Sequence, residues 1–283
     1  MKNIIAAIDF SDCSVNALEQ AISLGKAGSL DIHMVWVNNP RITKVTIYSE
    51  AASDLIDEVK LQFHKLIDKY RDQLLGNTID YVIREGKVYR EVIDEAKEME
   101  SVCIVLGTHG ASGFEQFWIG SNANRLISVS PIPVITLRAG FKVDKEIKRI
   151  ILPIDSTIDT RQKVPFTSYL AKLYGAEVHV LSLYSTSIKT IQERVDDYSK
   201  QVIRFLHEEN VKTEHKAIRA DNITTATIEY AGMVNANLIS IMTEQETSPV
   251  NLLLGPYAQQ MVHHSPYPVL SINPKLTTFT DIP

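Results

Sequence analysis

The chain contains one pattern twice, and this repeat constrains its fold more than any other feature. The segments Lys2–Asp9 and Lys148–Asp155 each have a basic start, an apolar stretch and a terminal aspartate. Later in the chain, Ser130–Ile135 and Ser265–Leu270 each have a Ser-Pro-x-Pro sequence that leads into an apolar stretch. Self-similarity at a long period indicates repeated structural units. We therefore expect two tandem copies of one fold.

The two copies divide the 283 residues into predicted domains at residues 1–140 and 147–283. They are joined near Arg138–Glu146, a charged stretch that contains Gly140, as is common in linkers. With 45% hydrophobic and 22% charged residues, the composition is that of a globular protein. The chain therefore has enough apolar material for two cores.

Charge and cysteine content argue against several functional classes. A net charge of −5 argues against a nucleic-acid role that depends on a basic surface. No stretch approaches the roughly 18 apolar residues of a membrane span, and the apolar run Ile4–Ile8 is too short for a signal peptide. Cys13 and Cys103 are too few for a disulfide framework or a four-ligand zinc site, and we expect both to be buried thiols. A cytoplasmic protein without nucleic-acid or membrane partners is the expectation.

Apolar stretches alternate with segments of helical periodicity in each copy. Strands of the first copy are predicted at Asn3–Asp9, Asp31–Asn38, Thr78–Arg84, Ser101–Leu106 and Val134–Arg138. Helices are predicted after Ser11 or Asp12 as the N-cap, over Glu50–Leu75 and Tyr89–Met99, and in the second copy near Gln162–Tyr174, Ile188–Glu209, Ile223–Asn235 and Pro256–His264. This alternation predicts an α/β fold of βαβ units with a mostly parallel sheet and helices on both faces.

A glycine pattern follows the fourth predicted strand of the first copy. Gly107, Gly110, Gly120 and Ser121 form the pattern G-x2-G-x9-G-S, and a helical pattern continues from Asn122. Glycines allow the backbone to approach a ligand closely, and the first N–H groups of a helix have no partner within the helix. Gly120, Ser121 and Asn122 would offer N–H groups to phosphate oxygens, with the Ser121 hydroxyl as a further donor. The pattern predicts a nucleotide site.

Asp9 ends the first predicted strand, and parallel sheets bind ligands at the carboxyl ends of their strands. If the first and fourth strands are neighbours, Asp9 and the glycine pattern lie in one crevice. The Asp9 carboxylate then accepts a hydrogen bond from a ribose hydroxyl, or it caps the following helix, or it does both.

Other phosphate-binding motifs are absent from the sequence, which contains neither a Walker A pattern nor G-x-G-x-x-G. Without a P-loop lysine, efficient phosphoryl transfer lacks its cation clamp. The nearest candidates are His109 and Arg125, for which packing and solvent exposure are the competing interpretations. Phe114, Phe117 and Trp118 form either a lid over the ligand or a packed patch.

These residues resemble those of a universal stress protein domain. The resemblance rests on the strand that ends in Asp9, the glycine pattern Gly107–Ser121 and the closing strand at Pro131–Val134. It covers the first copy fully and the second in strand order, so the whole chain is similar to a tandem universal stress protein. The resemblance implies two doubly wound, parallel five-stranded sheets of order 3-2-1-4-5, an adenine nucleotide alpha hydrolase-like fold.

The resemblance also implies which residues bind ATP. Adenine would lie against the backbone of Val37, at the end of the second strand. Ribose and phosphates would lie near Asp9, Leu106, Gly107, Gly110, Gly120, Ser121 and Asn122. Family domains pair through their last strands, so Val134–Leu137 and Val269–Ile272 are the predicted edges of an internal pseudo-dimer or of a homodimer.

The second copy departs from the glycine pattern. If Gly255 matches Gly120, then Met242 and Gln245 occupy the positions of Gly107 and Gly110, and Pro256 that of Ser121. Proline lacks an N–H group, and Glu244 and Glu246 add negative charge. We expect a degenerate domain that binds no ATP in this way, with Asp155 kept as a helix cap.

The expected function is an ATP-binding regulatory protein of the stress response, with Mg²⁺ neutralising the phosphates. One alternative is a slow ATPase, although the sequence shows no evident base, no metal-binding carboxylate cluster and no metal ligand. The other is a scaffold that binds a different ligand or a protein.

Overall fold

The computed structural model describes residues 3–43, 47, 52–108, 120–138, 140, 146–243 and 254–274. Contacts divide the chain into two compact units. The first unit comprises residues 1–126 and 134–139, and the second comprises residues 127–133 and 140–283. Among the described residues, no helix is long and apolar enough to cross a membrane.

The first unit contains a parallel five-stranded sheet in the order β3-β2-β1-β4-β5. Its strands are β1 (Asn3–Ala7), β2 (Asp31–Asn38), β3 (Ile79–Glu85), β4 (Ile104–Gly107) and β5 (Val134–Leu137). Because β1 lies between β2 and β4, the strand order reverses at β1: β2 and β3 lie on one side of it, and β4 and β5 lie on the other. The first and fourth strands are therefore adjacent, as the predicted crevice between them requires.

The helices of this part of the chain connect successive strands. They are α1 (Asp12–Gly28), α2 (Pro40–Thr43), α3 (Ser53–Tyr70), α4 (Val88–Glu98) and α5 (Ser121–Val129). The apolar side of α1 is buried at Leu18, Ile22 and Leu24, as its periodicity predicts. A 3₁₀ turn, Arg71–Leu74, extends α3. Gly86, between β3 and α4, has a φ of +153°, a backbone angle that residues other than glycine rarely adopt.

The second unit repeats this architecture in the order β8-β7-β6-β9-β10, again with parallel pairs. Its strands are β6 (Arg149–Ile154), β7 (Glu177–Tyr184), β8 (Thr213–Arg219), β9 (Leu238–Met242) and β10 (Val269–Ile272). Its helices are α6 (Val164–Tyr174), α7 (Lys189–Glu208), α8 (Ile223–Met233) and α9 (Pro256–His264), and a 3₁₀ turn at Ile158–Arg161 precedes α6. The predicted α/β class and strand order are observed in each unit.

The two units differ most in the connection that follows their second strand. Residues 39–52, which include α2, separate β2 from α3, whereas only residues 185–188 separate β7 from α7. The first unit therefore has an additional segment at the carboxyl end of β2, which is the edge where a ligand of such a sheet binds.

Candidate functional site

A cavity of about 370 Å³ lies at the carboxyl ends of β1, β2 and β4 in the first unit. It brings together all the predicted site residues that the structure describes, namely Asp9, Val37, Leu106, Gly107, Gly120, Ser121 and Asn122. Gly110 lies outside the described residues, as do His109, Phe114, Phe117 and Trp118. Residues far apart in the sequence thus line one crevice.

Asp9 lies at the turn from β1 into α1 and orients the start of that helix. Its Oδ1 atom accepts hydrogen bonds from the Ser11 backbone N at 3.1 Å and from the Ser11 hydroxyl at 2.5 Å. Ser11 is the N-cap, since its hydroxyl accepts from the Ser14 N–H at 3.2 Å. Asp9 therefore supports the cap rather than capping the helix itself, and its carboxylate lies exposed on the cavity.

The residue after Asp9 has an unusual backbone conformation. Phe10 has a φ of +64°, which is rare for a bulky residue and costs conformational energy. Its ring packs edge-on against the buried Phe63, with 5.0 Å between centroids. This packing holds the sharp turn that directs Asp9 to the cavity.

The packing of the protein itself requires glycine at position 107. A Cβ atom at this position would lie 2.6 Å from the Cys13 Sγ atom and 2.9 Å from the Cys13 backbone carbon. The first turn of α1 therefore packs directly on the end of β4. Gly107 also lines the cavity, and its close approach to phosphate stays a prediction.

Gly120 differs from its prediction. Its N–H donates to the Thr108 carbonyl at 2.8 Å, so that group is not available to a phosphate. Among the described residues, a Cβ atom on Gly120 would meet only the Thr108 oxygen, at an ordinary 3.4 Å. No described contact thus requires glycine here, and Gly120 itself lines the cavity.

The beginning of α5 presents two of the three predicted donor groups, the N–H groups of Ser121 and Asn122, together with that of Ala123. The Gly120 carbonyl accepts from the Asn124 N–H at 3.0 Å, so the helix starts with Ser121, Asn122 and Ala123. No described residue accepts a hydrogen bond from the N–H groups of these three residues, and all three line the cavity. Such groups and the helix dipole favour an anion.

The backbone of Val37 faces the cavity from the opposite side. The Ile8 N–H donates to the Val35 carbonyl at 2.9 Å, whereas the Gly86 N–H donates to the Asn38 carbonyl at 2.9 Å. Backbone groups of alternate residues point to opposite neighbours in a parallel sheet, so those of Val37 point to the β1 side. Since β1 ends at Ala7, no described strand residue pairs with them. Val37 therefore presents a hydrogen-bond donor and an acceptor side by side.

The sequence analysis missed several apolar residues that line the cavity, among them Trp36, Val88 and Val92. Trp36 lies beside Val37, and Val88 and Val92 lie one turn apart on α4. The spacing of the two valines was the available signal, but it marks only a buried helix face. Which face meets the ligand edge depends on the tertiary fold.

Arg125 lies on the exposed side of α5 and does not line the cavity, so it is not placed to clamp a phosphate there. Its guanidinium carbon lies 5.3 Å from the centre of the Tyr89 ring, a distance typical of a cation–π contact. Among the described residues that line the cavity there is no lysine or arginine. Within the described lining, any attraction for an anion would therefore come from backbone dipoles.

A charged network joins β2, β3 and α4 beside the cavity. His33 lies between the carboxylates of Asp80, at 2.5 Å from Nδ1, and Glu95, at 2.9 Å from Nε2. The Arg84 Nε donates to Glu95 at 2.6 Å, and its guanidinium also pairs with Glu98. Burial opposes protonation of His33, but hydrogen bonds and charge interactions with Asp80 and then Glu95 outweigh it and raise the pKa of His33.

The second unit contains a counterpart of His33 with different partners. His179 pairs in register with Glu214, as His33 does with Asp80. The Nδ1 atom of His179 lies 3.0 Å from the Tyr230 hydroxyl of α8, where the first unit has Glu95. A phenol thus replaces a buried carboxylate.

Comparison with known proteins places the chain in a family. The universal stress protein family model matches residues 1–138 and again residues 146–273. The chain belongs to the universal stress protein family. This confirms the tandem family assignment that the sequence suggested.

Relatives and solved structures agree with this family. A universal stress protein from Archaeoglobus fulgidus superposes with a TM-score of 0.77 at 19% identity, covering 96% of this chain and 98% of that one. The universal stress protein YxiE of Bacillus subtilis is 24% identical over 144 residues, which are 48% of this chain and 97% of the relative. The universal stress protein MJ0531 of Methanocaldococcus jannaschii is 28% identical over 140 residues, 48% of this chain and 82% of the relative. These two relatives match about half of the chain.

Strand register shows how the second universal stress protein domain differs at the glycine positions. Ile104 pairs with Val134, and Ile239 pairs with Val269, so Met242 is the counterpart of Gly107. The Thr243 N–H donates to the Ile272 carbonyl at 2.8 Å, as the Thr108 N–H does to the Leu137 carbonyl. The predicted alignment of Met242 with Gly107 is therefore confirmed, whereas Glu244, Gln245 and Glu246 lie outside the described residues.

A change in the first helical turn accommodates Met242. Asp155 accepts hydrogen bonds from the Thr157 N–H at 2.9 Å and hydroxyl at 2.6 Å, which repeats the contacts of Asp9 with Ser11. The expectation that Asp155 caps a helix is thus corrected in the same way as for Asp9. A 3₁₀ turn follows at Ile158–Arg161, in place of the beginning of an α-helix. At the far end of the site, Pro256 is the first residue of α9 and lacks the N–H group that Ser121 offers.

Proposed function

We propose that the first domain binds ATP and that the chain is an ATP-binding regulatory protein of the stress response. The observation that carries this proposal is the cavity in which Val37, Asp9 and the beginning of α5 face one ligand-sized space. Each of the three offers the chemistry that one part of ATP requires.

The backbone of Val37 fits the adenine base. Adenine presents the N1 acceptor next to the N6 amino donor on its Watson–Crick edge. The Val37 N–H would donate to N1, and the Val37 carbonyl would accept from the amino group. Trp36, Val88 and Val92 supply apolar surface for the faces of the base. The cavity volume of about 370 Å³ falls within the ordinary range for small-molecule sites.

Asp9 and α5 fit the ribose and the phosphates. The exposed Asp9 carboxylate would accept a hydrogen bond from a ribose hydroxyl while it keeps its contacts with Ser11. The N–H groups of Ser121, Asn122 and Ala123 would donate to phosphate oxygens. A helix N-terminus favours an anion by roughly 0.3–1 kcal/mol when exposed and up to about 2 kcal/mol when partly buried.

Mg²⁺ is proposed to bind together with ATP. The described cavity residues include no lysine or arginine, and the sequence of residues 109–119 contains none either. The phosphate charge therefore needs neutralisation from a cation that accompanies the nucleotide. Among the described residues, no group of three or more His, Cys, Asp or Glu side chains could hold a metal ion, so the phosphates would supply most of its ligands.

Regulated binding is proposed in preference to catalysis. Asp9 is the carboxylate among the described cavity residues, and it already accepts two hydrogen bonds from Ser11. Phosphoryl transfer relies on a cation clamp and a positioned nucleophile, and the described cavity supplies neither. Hydrolysis, if measured, would be slow.

The second domain is proposed to bind no ATP in this way. Pro256 removes one of the donors at the start of the corresponding helix, and a 3₁₀ turn replaces the helical turn that follows Asp9 in the first domain. A cytoplasmic location stays a prediction, and so does pairing through Val134–Leu137 and Val269–Ile272 in a pseudo-dimer or homodimer. Sedimentation with and without ATP would measure the oligomeric state.

The two aspartates offer a matched test of the site. Asp9→Ala and Asp155→Ala remove equivalent carboxylates that make equivalent contacts with Ser11 and Thr157. We expect Asp9→Ala to weaken ATP binding about tenfold to a hundredfold, as for loss of a hydrogen bond to a charged group. Asp155→Ala should leave ATP affinity unchanged. Equilibrium dialysis with Mg-ATP measures both, and equal effects of the two changes would contradict the proposed site.

A further inference from the structure

Among the described strands, only one accompanies the end of β2. Beyond Val35, which accepts from Ile8, β1 no longer accompanies the strand, because it ends at Ala7. Of the strands that the structure describes, β3 continues beside Val37, with Val37 opposite Arg84 and Asn38 opposite Glu85. The position of the Val37 donor and acceptor therefore depends on what holds the last residues of β2.

Asn38 anchors this strand end through its side chain. It is fully buried, its amide Nδ2 donates to the Glu85 carboxylate at 3.1 Å, and its Oδ1 accepts from the Thr43 hydroxyl at 2.8 Å. The orientation of the amide follows from its partners, since a carboxylate only accepts hydrogen bonds. Its backbone carbonyl accepts from the Gly86 N–H at 2.9 Å. One residue thus links β2, β3 and α2.

Glu85 extends the link to the segment that follows α2. Its Oε2 atom, which accepts from Asn38, also accepts from the Ile47 backbone N–H at 2.6 Å. Thr43 closes α2 with a hydrogen bond from its N–H to the Asn39 carbonyl at 3.0 Å. The segment after β2 is therefore bonded to Asn38 directly through Thr43 and indirectly through Ile47 and Glu85.

The second domain lacks this arrangement. Tyr184 has the position of Asn38 in the strand register, opposite Arg219 rather than a glutamate. Its hydroxyl donates to Asp196 of α7, and only residues 185–188 separate β7 from α7. The anchored segment occurs in the domain that retains the glycine pattern.

We propose that Asn38 is a positioning residue that sets base selectivity by fixing the backbone of Val37 through Glu85 and Thr43. This inference rests on the proposed binding of ATP in the first domain. Asn38 does not line the cavity, so it acts through Val37 and not by contact with the base. A fixed donor–acceptor pair accepts adenine and rejects hypoxanthine, whose edge presents a donor at N1 and an acceptor at O6.

The test compares ATP and ITP, which share ribose and phosphates and differ in this edge. Wild-type protein should prefer Mg-ATP over Mg-ITP by about tenfold or more, because a mismatched edge leaves polar groups unpaired. Asn38→Ala should lower this ratio on the order of fivefold, and Thr43→Val should lower it in the same direction. The ratio of ATP to ADP affinity, which reports the phosphate end, should not change. Isothermal titration calorimetry on the full chain measures all of these affinities.

The controls separate positioning from general damage. Tyr184→Phe removes a hydroxyl at the equivalent position of the second domain and should leave the ATP-to-ITP ratio at its wild-type value. General loosening of the fold would weaken both nucleotides equally and keep the ratio constant. If Asn38→Ala does not fold, Thr43→Val carries the test.

The role of Asn38 and the binding of ATP would be contradicted by different results. A wild-type preference for ATP that persists in both Asn38→Ala and Thr43→Val would overturn the role of Asn38 and leave ATP binding intact. Wild-type protein that binds neither nucleotide would overturn the proposed function itself.

Discussion

Two glycines of the same motif should respond in opposite ways to alanine substitution. Gly107→Ala would place a Cβ atom 2.6 Å from the Cys13 Sγ atom, 2.9 Å from its carbonyl carbon and 3.0 Å from its oxygen. Two of these atoms belong to the backbone of α1 and cannot rotate away. Either α1 or the end of β4 must therefore move, and overpacking of this kind costs about 1–3 kcal/mol of unfolding free energy.

Gly120→Ala is the matched control. Among the described residues its Cβ atom would meet only the Thr108 oxygen, at 3.4 Å. The backbone of Gly120 has no φ in the left-handed range, so alanine introduces no such strain. Because alanine is a poorer residue than glycine where a helix starts, we expect a loss below about 1 kcal/mol. The new methyl group would adjoin the cavity, so ATP affinity should fall although stability is nearly kept.

Urea denaturation followed by tryptophan fluorescence measures this contrast. Both tryptophans of the chain, Trp36 and Trp118, lie in its first half, so the signal reports the first domain. Gly107→Ala should shift the transition to lower urea with an unchanged slope, whereas Gly120→Ala should nearly superpose on the wild type. Equal midpoints for wild type and Gly107→Ala would refute the close packing of α1 on β4.

Three further outcomes are expected from the same structure. His33 has a raised pKa, so its contribution to stability is complete below its ordinary pKa of 6.5 and is lost as pH rises through the higher folded value. The stability difference between wild type and His33→Gln should therefore shrink from pH 6 to pH 9 in urea denaturation; a constant difference would contradict this. Burial raises the pKa of Cys103 to about 12, so iodoacetamide should not modify it in the native protein, as mass spectrometry of the digested chain would show. Gly86→Ala should lower the unfolding free energy by about 1–3 kcal/mol, because a φ of +153° strains any side chain; a calorimetric midpoint equal to that of the wild type would argue against this conformation.

The sequence predicted the elements well because their periodicity is local. The predicted strand at Asp31–Asn38 and helix at Pro256–His264 have the bounds that the structure shows. The fourth strand was predicted from Ser101 but begins at Ile104. Its early residues are apolar, yet the Ser101 N–H closes the end of α4 by donating to the Ala96 carbonyl at 2.9 Å. Apolar character alone cannot distinguish such a helix end from a strand.

The site was predictable in membership but not in the role of each residue. Strand ends and glycine spacing identified residues that do line one cavity. That Gly107 faces Cys13 and that the Gly120 N–H is bonded to Thr108 are facts of tertiary packing. Asn38 gave no signal, because its partners Glu85 and Thr43 meet it only when β3 and α2 are folded around it.

The longer connection after β2 has an entropic consequence for the first domain. Residues 39–52 span the gap that residues 185–188 span in the second domain. Closing a longer connection costs about 0.6 kcal/mol for each doubling of its length, so the difference amounts to roughly 1 kcal/mol. One or two well-formed hydrogen bonds offset a penalty of this size. A longer connection at this end of the sheet therefore has almost no net thermodynamic cost, provided that hydrogen bonds hold it close to the strand it follows.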